Sequence, residues 1–219
     1  MLWQGDSLEL RGGTLEYLQV YDHRRERAGF IKASQVRQLA LNKQDAPDLL
    51  TVVRFLRDTP GAEALGIAYA AAFLKAAPAD AIHAEAFDAL GSMAEQLASA
   101  LLSPRSAAEV AAHMEVVANY SVTIGSYEHD GHVQLCYDGD AFRRVLANLP
   151  TPAQQATAAL ALTRPECINP ALRVNERDAA NLQSGNVLDK GALLNLPDHV
   201  RNRIHMPIAG RIRPGNGAQ

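Results

Sequence analysis

What this chain lacks narrows its possible roles first. No apolar run in its 219 residues approaches the roughly 20 needed to cross a bilayer as a helix. Cysteine is scarce: Cys136 and Cys167 are the only two, so the chain holds either one disulfide or two thiols. There is no phosphate loop, no dinucleotide fingerprint, no G-x-S-x-G and no H-E-x-x-H. Each of those motifs carries a mechanism, so no enzyme class is named by motif. An excess of one charge is missing too. The formal net charge is −3, which gives no global field to select nucleic acid.

The charge that is present is uneven. Residues 1–40 carry five acids and six bases, 41–150 fourteen and seven, and 151–219 five and eight. The centre is acidic and both ends are mildly basic. Hydrophobic residues make up 47% and charged residues 21%, a balance that supports a buried core.

Residues 1–38 alternate with a period of two. In 6–11 Leu8 and Leu10 share a face, and Gly12-Gly13 predicts a turn. In 15–21 Leu15, Tyr17, Gln19 and Tyr21 lie on one face, with Glu16, Leu18 and Val20 on the other. Asp22 to Arg27 reads as a polar hairpin loop. Gly29 is placed where strands come close or kink, and Phe30-Ile31 continues as strand. Three short strands with tight turns predict a small barrel, which protects its edges.

These residues resemble the bacterial SH3 family. The segments that carry the likeness are L-x-x-G-D-x-L-E-L-x-G from Leu2, Tyr17-Leu18-Gln19-Val20, and Gly29-Phe30-Ile31-Lys32-Ala33-Ser34-Gln35-Val36. Tyr17 stands where the family usually has Trp, and Gly29-Phe30-Ile31 where it usually has Gly-Trp-Val. The likeness covers about residues 1–38 and lacks the family's first strand. Together with Met1 running almost directly into strand-like sequence, that implies a chain that starts downstream of a natural start. The resemblance implies a binding module, often attached to envelope proteins, and hence a periplasmic or exported location.

After Arg37 the texture becomes Ala- and Leu-rich. Helices are predicted from Asp45-Ala46-Pro47, over 62–77, from Pro78-Ala79-Asp80 to about Leu102, and from Ser103-Pro104 to about Ala118. Asp130-Gly131 predicts a β-hairpin over 121–137. Further helices are predicted over 140–149, from the capping box at Thr151-Pro152-Ala153-Gln154 to Leu162, from Asn169-Pro170 to Leu182, and over 188–205. A loose tail follows over 206–219. Helix-starting prolines at 47, 78, 104, 152 and 170 have no fixed spacing, so the helices form an irregular array and not a tandem repeat. The fold class is therefore α+β: a partial SH3-like β-barrel over 1–38, then an all-α helical-hairpin domain over 45–205 with one inserted β-hairpin.

Five constellations are candidates for chemistry. His129, His132 and Cys136 offer zinc-type donors without an evident fourth, Asp130 or Asp138 being arguable; two turn histidines and a buried thiol is the plainer reading. A Cys136–Cys167 bridge would tie the hairpin to the loop after the 152–162 helix. Cysteine nucleophile chemistry at Cys136 needs an aligned base, and His132 lies about 13 Å away along a strand at ordinary rise. Asp138 and Asp140 offer a carboxylate pair for a cation, without the longer run of oxygen donors that an EF-hand needs; capping the 140–149 helix is the plainer reading. Finally, Arg24, Arg25, Arg27, Lys32 and Arg37 beside Tyr17, Tyr21 and Phe30 form either a basic aromatic ligand surface or an ordinary solvated loop.

The reading is a non-enzymatic binding or scaffold protein of the bacterial envelope. It needs no cofactor, and its partner is a protein, a peptide or peptidoglycan, not nucleic acid. The contrasting reading is a metal-dependent or cysteine-based hydrolase built on 127–140. A third is a β module that packs on the helices and binds nothing.

Overall fold

The computed structural model describes residues 2–39, 41–103, 106–129, 131–168, 171–177, 179 and 198. The change of periodicity near residue 38 is a change of layer. Before it lies an antiparallel meander of β1 (Glu9–Gly13), β2 (Tyr17–Asp22) and β3 (Arg27–Lys32). After it come α1 (Ala46–Arg57), α2 (Glu63–Ala76), α3 (Ala84–Ala100) and α4 (Ala107–Ala118). The hairpin β4 (Ile124–His129) and β5 (His132–Tyr137) follows, then α5 (Asp140–Ala147) and α6 (Pro152–Leu162). The class is α+β with two separate antiparallel sheets. The first sheet has three strands and two free edges, so no closed barrel forms among the described residues; three strands are too few to wrap into one.

Alternation in β2 holds residue by residue. Leu18, Val20 and Asp22 are buried, while Tyr17 and Gln19 are exposed. The predicted glycine turn is displaced. Gly12 and Gly13 lie in the end of β1, beside a register shift between Leu10 and Gly12, and Thr14 to Glu16 make the turn. A bulge takes up the extra residue, and the missing side chain of Gly13 lets β2 lie close. Gly29 has the opposite fate: a Cβ there would meet nothing within 4 Å, so no close approach explains it.

Helix starts follow local chemistry. Thr151 and Gln154 exchange hydrogen bonds in a capping box that opens α6. Ser106 and Glu109 do the same for α4, two residues beyond the expected proline start. The helix expected from Asp80 begins later, because Ala79–Ala81 form a separate turn and Ile82 and His83 are extended before Ala84. Residues 174–177 are helical. The remainder of the expected 170–182 helix, nearly all of the 188–205 helix and the tail over 206–219 lie outside the described residues.

α3 is the hub. It packs against α1, α2, α5, α6 and β5. Val53, Ile67, Met93, Phe142 and Val145 are each fully buried in this one core. Gly91 of α3 exists for Phe142: an added Cβ would sit 2.8 Å from its ring. The first sheet fastens to the helices through its leading segment. Gly5 has φ +93 and lies where a Cβ would meet the Ala64 carbonyl oxygen at 2.7 Å, a backbone only glycine adopts without strain. Tyr120 donates its hydroxyl hydrogen to the Gly5 carbonyl at 2.5 Å. No described helix is long and apolar enough to cross a membrane.

Candidate functional site

The arginines of the 22–27 turn are committed within the chain. Arg24 lies 3.3 Å from Asp6 and 3.5 Å from Glu115, ion-paired without aligned hydrogen bonds. Arg25 donates to Asp22 at 2.8 Å and approaches Asp6 at 3.5 Å, and Arg27 approaches Asp22 at 3.6 Å. Burial pushes the Asp22 carboxyl up, but hydrogen bonds from Arg25 and the charge of Arg27 outweigh it and hold it below the ordinary value. A buried carboxylate of this kind needs its cations to stay put. Arg24 and Arg25 thus clamp the turn to the leading segment, and Arg24 also to α4, while Arg27 stays with Asp22 across the turn.

The aromatics separate from them. Tyr21 is covered by the Arg11 guanidinium, 4.0 Å from the ring centre, and by the edge of His23. Tyr17 and Phe30 stand free, at 45% and 73% exposure.

The hairpin region gathers a bridge and two caps. Cys136 and Cys167 are joined, with Cα atoms 5.5 Å apart. The Cys136 sulfur is therefore neither a thiolate nucleophile nor a metal ligand in this state. His132 pairs with His129 at the hairpin tip, while Cys136 pairs with Gly125 near its base. Asp130 lies outside the described residues. No group of three metal-binding side chains assembles among the described residues. Asp138 accepts the Asp140 N–H at 3.0 Å, and Asp140 binds Arg144 at 2.9 Å, so both acids serve the start of α5. The bridge is one of three ties on the 164–167 segment. Tyr127 donates to the Cys167 carbonyl at 3.2 Å, and Arg164 reaches Glu95 of α3 at 3.2 Å.

What sequence reasoning missed is a groove of about 1780 Å³ between the first sheet and α2, α3 and α5. Leu10, Leu18, Val20 and Ile31 line it from the sheet side, and Leu65, Tyr69, Phe87 and Leu90 from the helices. Six large apolar residues that are exposed, Leu2, Leu10, Tyr17, Phe30, Leu39 and Leu41, all line this same groove. Lys32, Arg37 and Lys75 lie along it, with Arg144 already taken by Asp140. Comparison with protein-family models, with curated proteins and with solved structures found no match.

The groove's chemistry has to be read from its walls. Gathered apolar exposure of this kind is the sort that interaction surfaces carry. Of its two acids, Asp6 is bound by Arg24 and Arg25, and Asp140 by Arg144. The signal available in the sequence was the apolar inner face of β2, but its opposite wall is supplied by helices more than forty residues away.

Proposed function

We propose that this chain is a non-enzymatic binding or scaffold protein of a bacterial envelope, and that the groove between its SH3-like sheet and its helices holds an extended peptide segment. The observation that carries this is that exposed Leu2, Leu10, Leu39 and Leu41 line one groove edged by Arg37 and Lys75, with Tyr17, Phe30 and Lys32 at its rim from the sheet's other face. Apolar walls favour an apolar segment, and the cations select one that also carries acidic side chains. The free edge of β3 adds unpaired backbone groups of the sort an extended peptide satisfies. The Cys136–Cys167 bridge supports an oxidising compartment, where such bonds persist.

Trp3, the single tryptophan, lines the groove and reports on occupancy. A short peptide alternating Leu with Glu is expected to shift its fluorescence on titration, whereas the Leu–Lys counterpart is not. Reversing Lys32 and Lys75 to Glu is expected to weaken the acidic peptide at least about tenfold. Equal binding of both peptides sinks this reading, as does binding of a muropeptide fragment with no response to the acidic peptide.

A further inference from the structure

The first sheet ends in two free edges, and they are built differently. β1 is broken by the register shift between Leu10 and Gly12, ends in two glycines and carries the ion-paired Glu9 and Arg11. Bulges and charges of this kind discourage another strand from pairing. β3 has neither device in its middle. It pairs with β2 in unbroken register, from Arg27 opposite Asp22 to Lys32 opposite Tyr17. Every residue of β3 except Ile31 is exposed. Its charges stand only at the two ends, with Ala28-Gly29-Phe30-Ile31 between them.

The hydrogen bonds fix which backbone groups of β3 stay unpaired. Ala33 donates its N–H to the Glu16 carbonyl at 2.9 Å, one step beyond the Lys32–Tyr17 pair. In an antiparallel ladder such bonded pairs alternate with unbonded ones. Arg27, Gly29 and Ile31 therefore turn their N–H and C=O groups to β2, and Ala28, Phe30 and Lys32 turn theirs to the open edge. The far side of β2 agrees, since Thr14 donates its N–H to the Tyr17 carbonyl at 2.7 Å, away from Lys32. Side chains divide the same way. Gly29 and Ile31 lie opposite Val20 and Leu18 on the groove side, whereas Ala28, Phe30 and Lys32 share the outer face with Tyr21, Gln19 and Tyr17. Gly29 leaves open space there, with nothing within 4 Å of an added Cβ.

On the peptide reading of the groove, we propose that the partner enters as a fourth strand along β3, pairing with the backbone of Ala28, Phe30 and Lys32. An added strand sends its side chains alternately to the two faces of the sheet. One set falls beside Ile31 and the bare Gly29, towards the groove, and is apolar. The other falls beside Phe30 and Lys32 on the outer face, where the Lys32 ammonium selects acids. Lys32 makes no ion pair of its own among the described residues. The partner is thus an extended protein segment that alternates apolar with acidic side chains. Main-chain bonds hold it, and the alternation specifies it. A second copy of β3 fits worse, because two such edges gather two Arg27 and two Lys32 side chains in one short ladder.

The test titrates the full chain with the short Leu–Glu peptide and with two modified forms, followed by Trp3 fluorescence. One form is N-methylated on its Glu nitrogens and the other on its Leu nitrogens. Only every second N–H of an added strand faces its neighbour. One form is therefore expected to bind at least about tenfold more weakly, and the other as the parent does. Loss with the Glu form supports an antiparallel fourth strand, and loss with the Leu form a parallel one. Ala28→Pro removes an open-edge N–H and no bond to β2, a change that edge strands tolerate. It is expected to weaken the parent peptide to a similar degree with the melting temperature little changed. A parent peptide that binds while both methylated forms bind as well, or are weakened equally, overturns the fourth strand and leaves the groove reading standing. No response to the parent peptide removes both. A dimeric chain that Ala28→Pro turns monomeric also overturns the proposal, since the edge then belongs to a second copy.

Discussion

Asp88 and Gly91 stand within one turn of each other on α3 and face different consequences of burial. Gly91 yields its side-chain space to Phe142. Asp88 keeps a carboxylate where the surroundings offer no donor to Oδ1. The groups around Asp88 are Arg57 on α1, His83 before α3 and Glu85 on its own helix. Its folded pKa is raised above the ordinary 3.8, so its charged form is disfavoured in the native state. The sign follows from linkage: this penalty is absent well below the unfolded value and grows as pH rises through the folded one. Asp88→Asn is therefore expected to stabilise the chain by about 1–3 kcal/mol at neutral pH, with the gain vanishing near pH 3. Thermal melts across that range check it, and a neutral-pH loss of stability would contradict the assignment. Nothing in the sequence singled Asp88 out, because an Asp four residues into a helical stripe looks like any solvated acid. Its isolation depends on Arg57 turning to Asp58.

Among the elements, strands and helices were legible because their cause is local. Two-residue alternation in β2 and the Thr151–Gln154 capping box are both read over a few neighbours. Displaced boundaries have equally local reasons: a bulge after Leu10 and an extended Ile82-His83 step. The hairpin was foreseen from Asp130-Gly131, and Gly131 does take φ +75. Whether Cys136 met Cys167 was not decidable from the chain, since it depends on where the segment after α6 returns. That segment is tied by the bridge, by Tyr127 and by the Arg164–Glu95 pair. Closing a loop across a separation of 31 residues stabilises by about 3.7 kcal/mol in the chain-entropy picture. Cys167→Ser is expected to lower stability by that order, and reductant to lower the melting temperature of the wild type but not of the variant. Hydrogen exchange should rise first in 164–168 and β5. A wild-type melting temperature indifferent to reductant would remove the bridge as a stabilising element.

The whole molecule is a sheet leaned against a helical core, with a groove left between them. Among the described residues the two layers meet at the leading segment and the 22–27 turn: Gly5 on Ala64, Tyr120 on Gly5, Trp3 against His113, and Arg24 between Asp6 and Glu115. Tyr120→Phe deletes the hydroxyl that reaches Gly5. The expected cost is about 0.5–1.5 kcal/mol, seen as faster exchange in 2–8 and β2 while α3 stays protected. Uniform loss of protection across α3 would show instead that sheet and helices unfold as one unit.

By itself the sequence determined the α+β class, the order of strands and helices, and the inner face of β2, because each follows from periodicity and capping within a turn or two. The tertiary structure alone decided which arginines were already paired, that Cys136 sits beside Cys167, and that exposed Leu10, Tyr17 and Phe30 border a groove walled by α2 and α3. It also isolated Asp88. Those outcomes rest on contacts between residues far apart in the chain, and no local pattern encodes which distant side chain supplies a partner or leaves one missing.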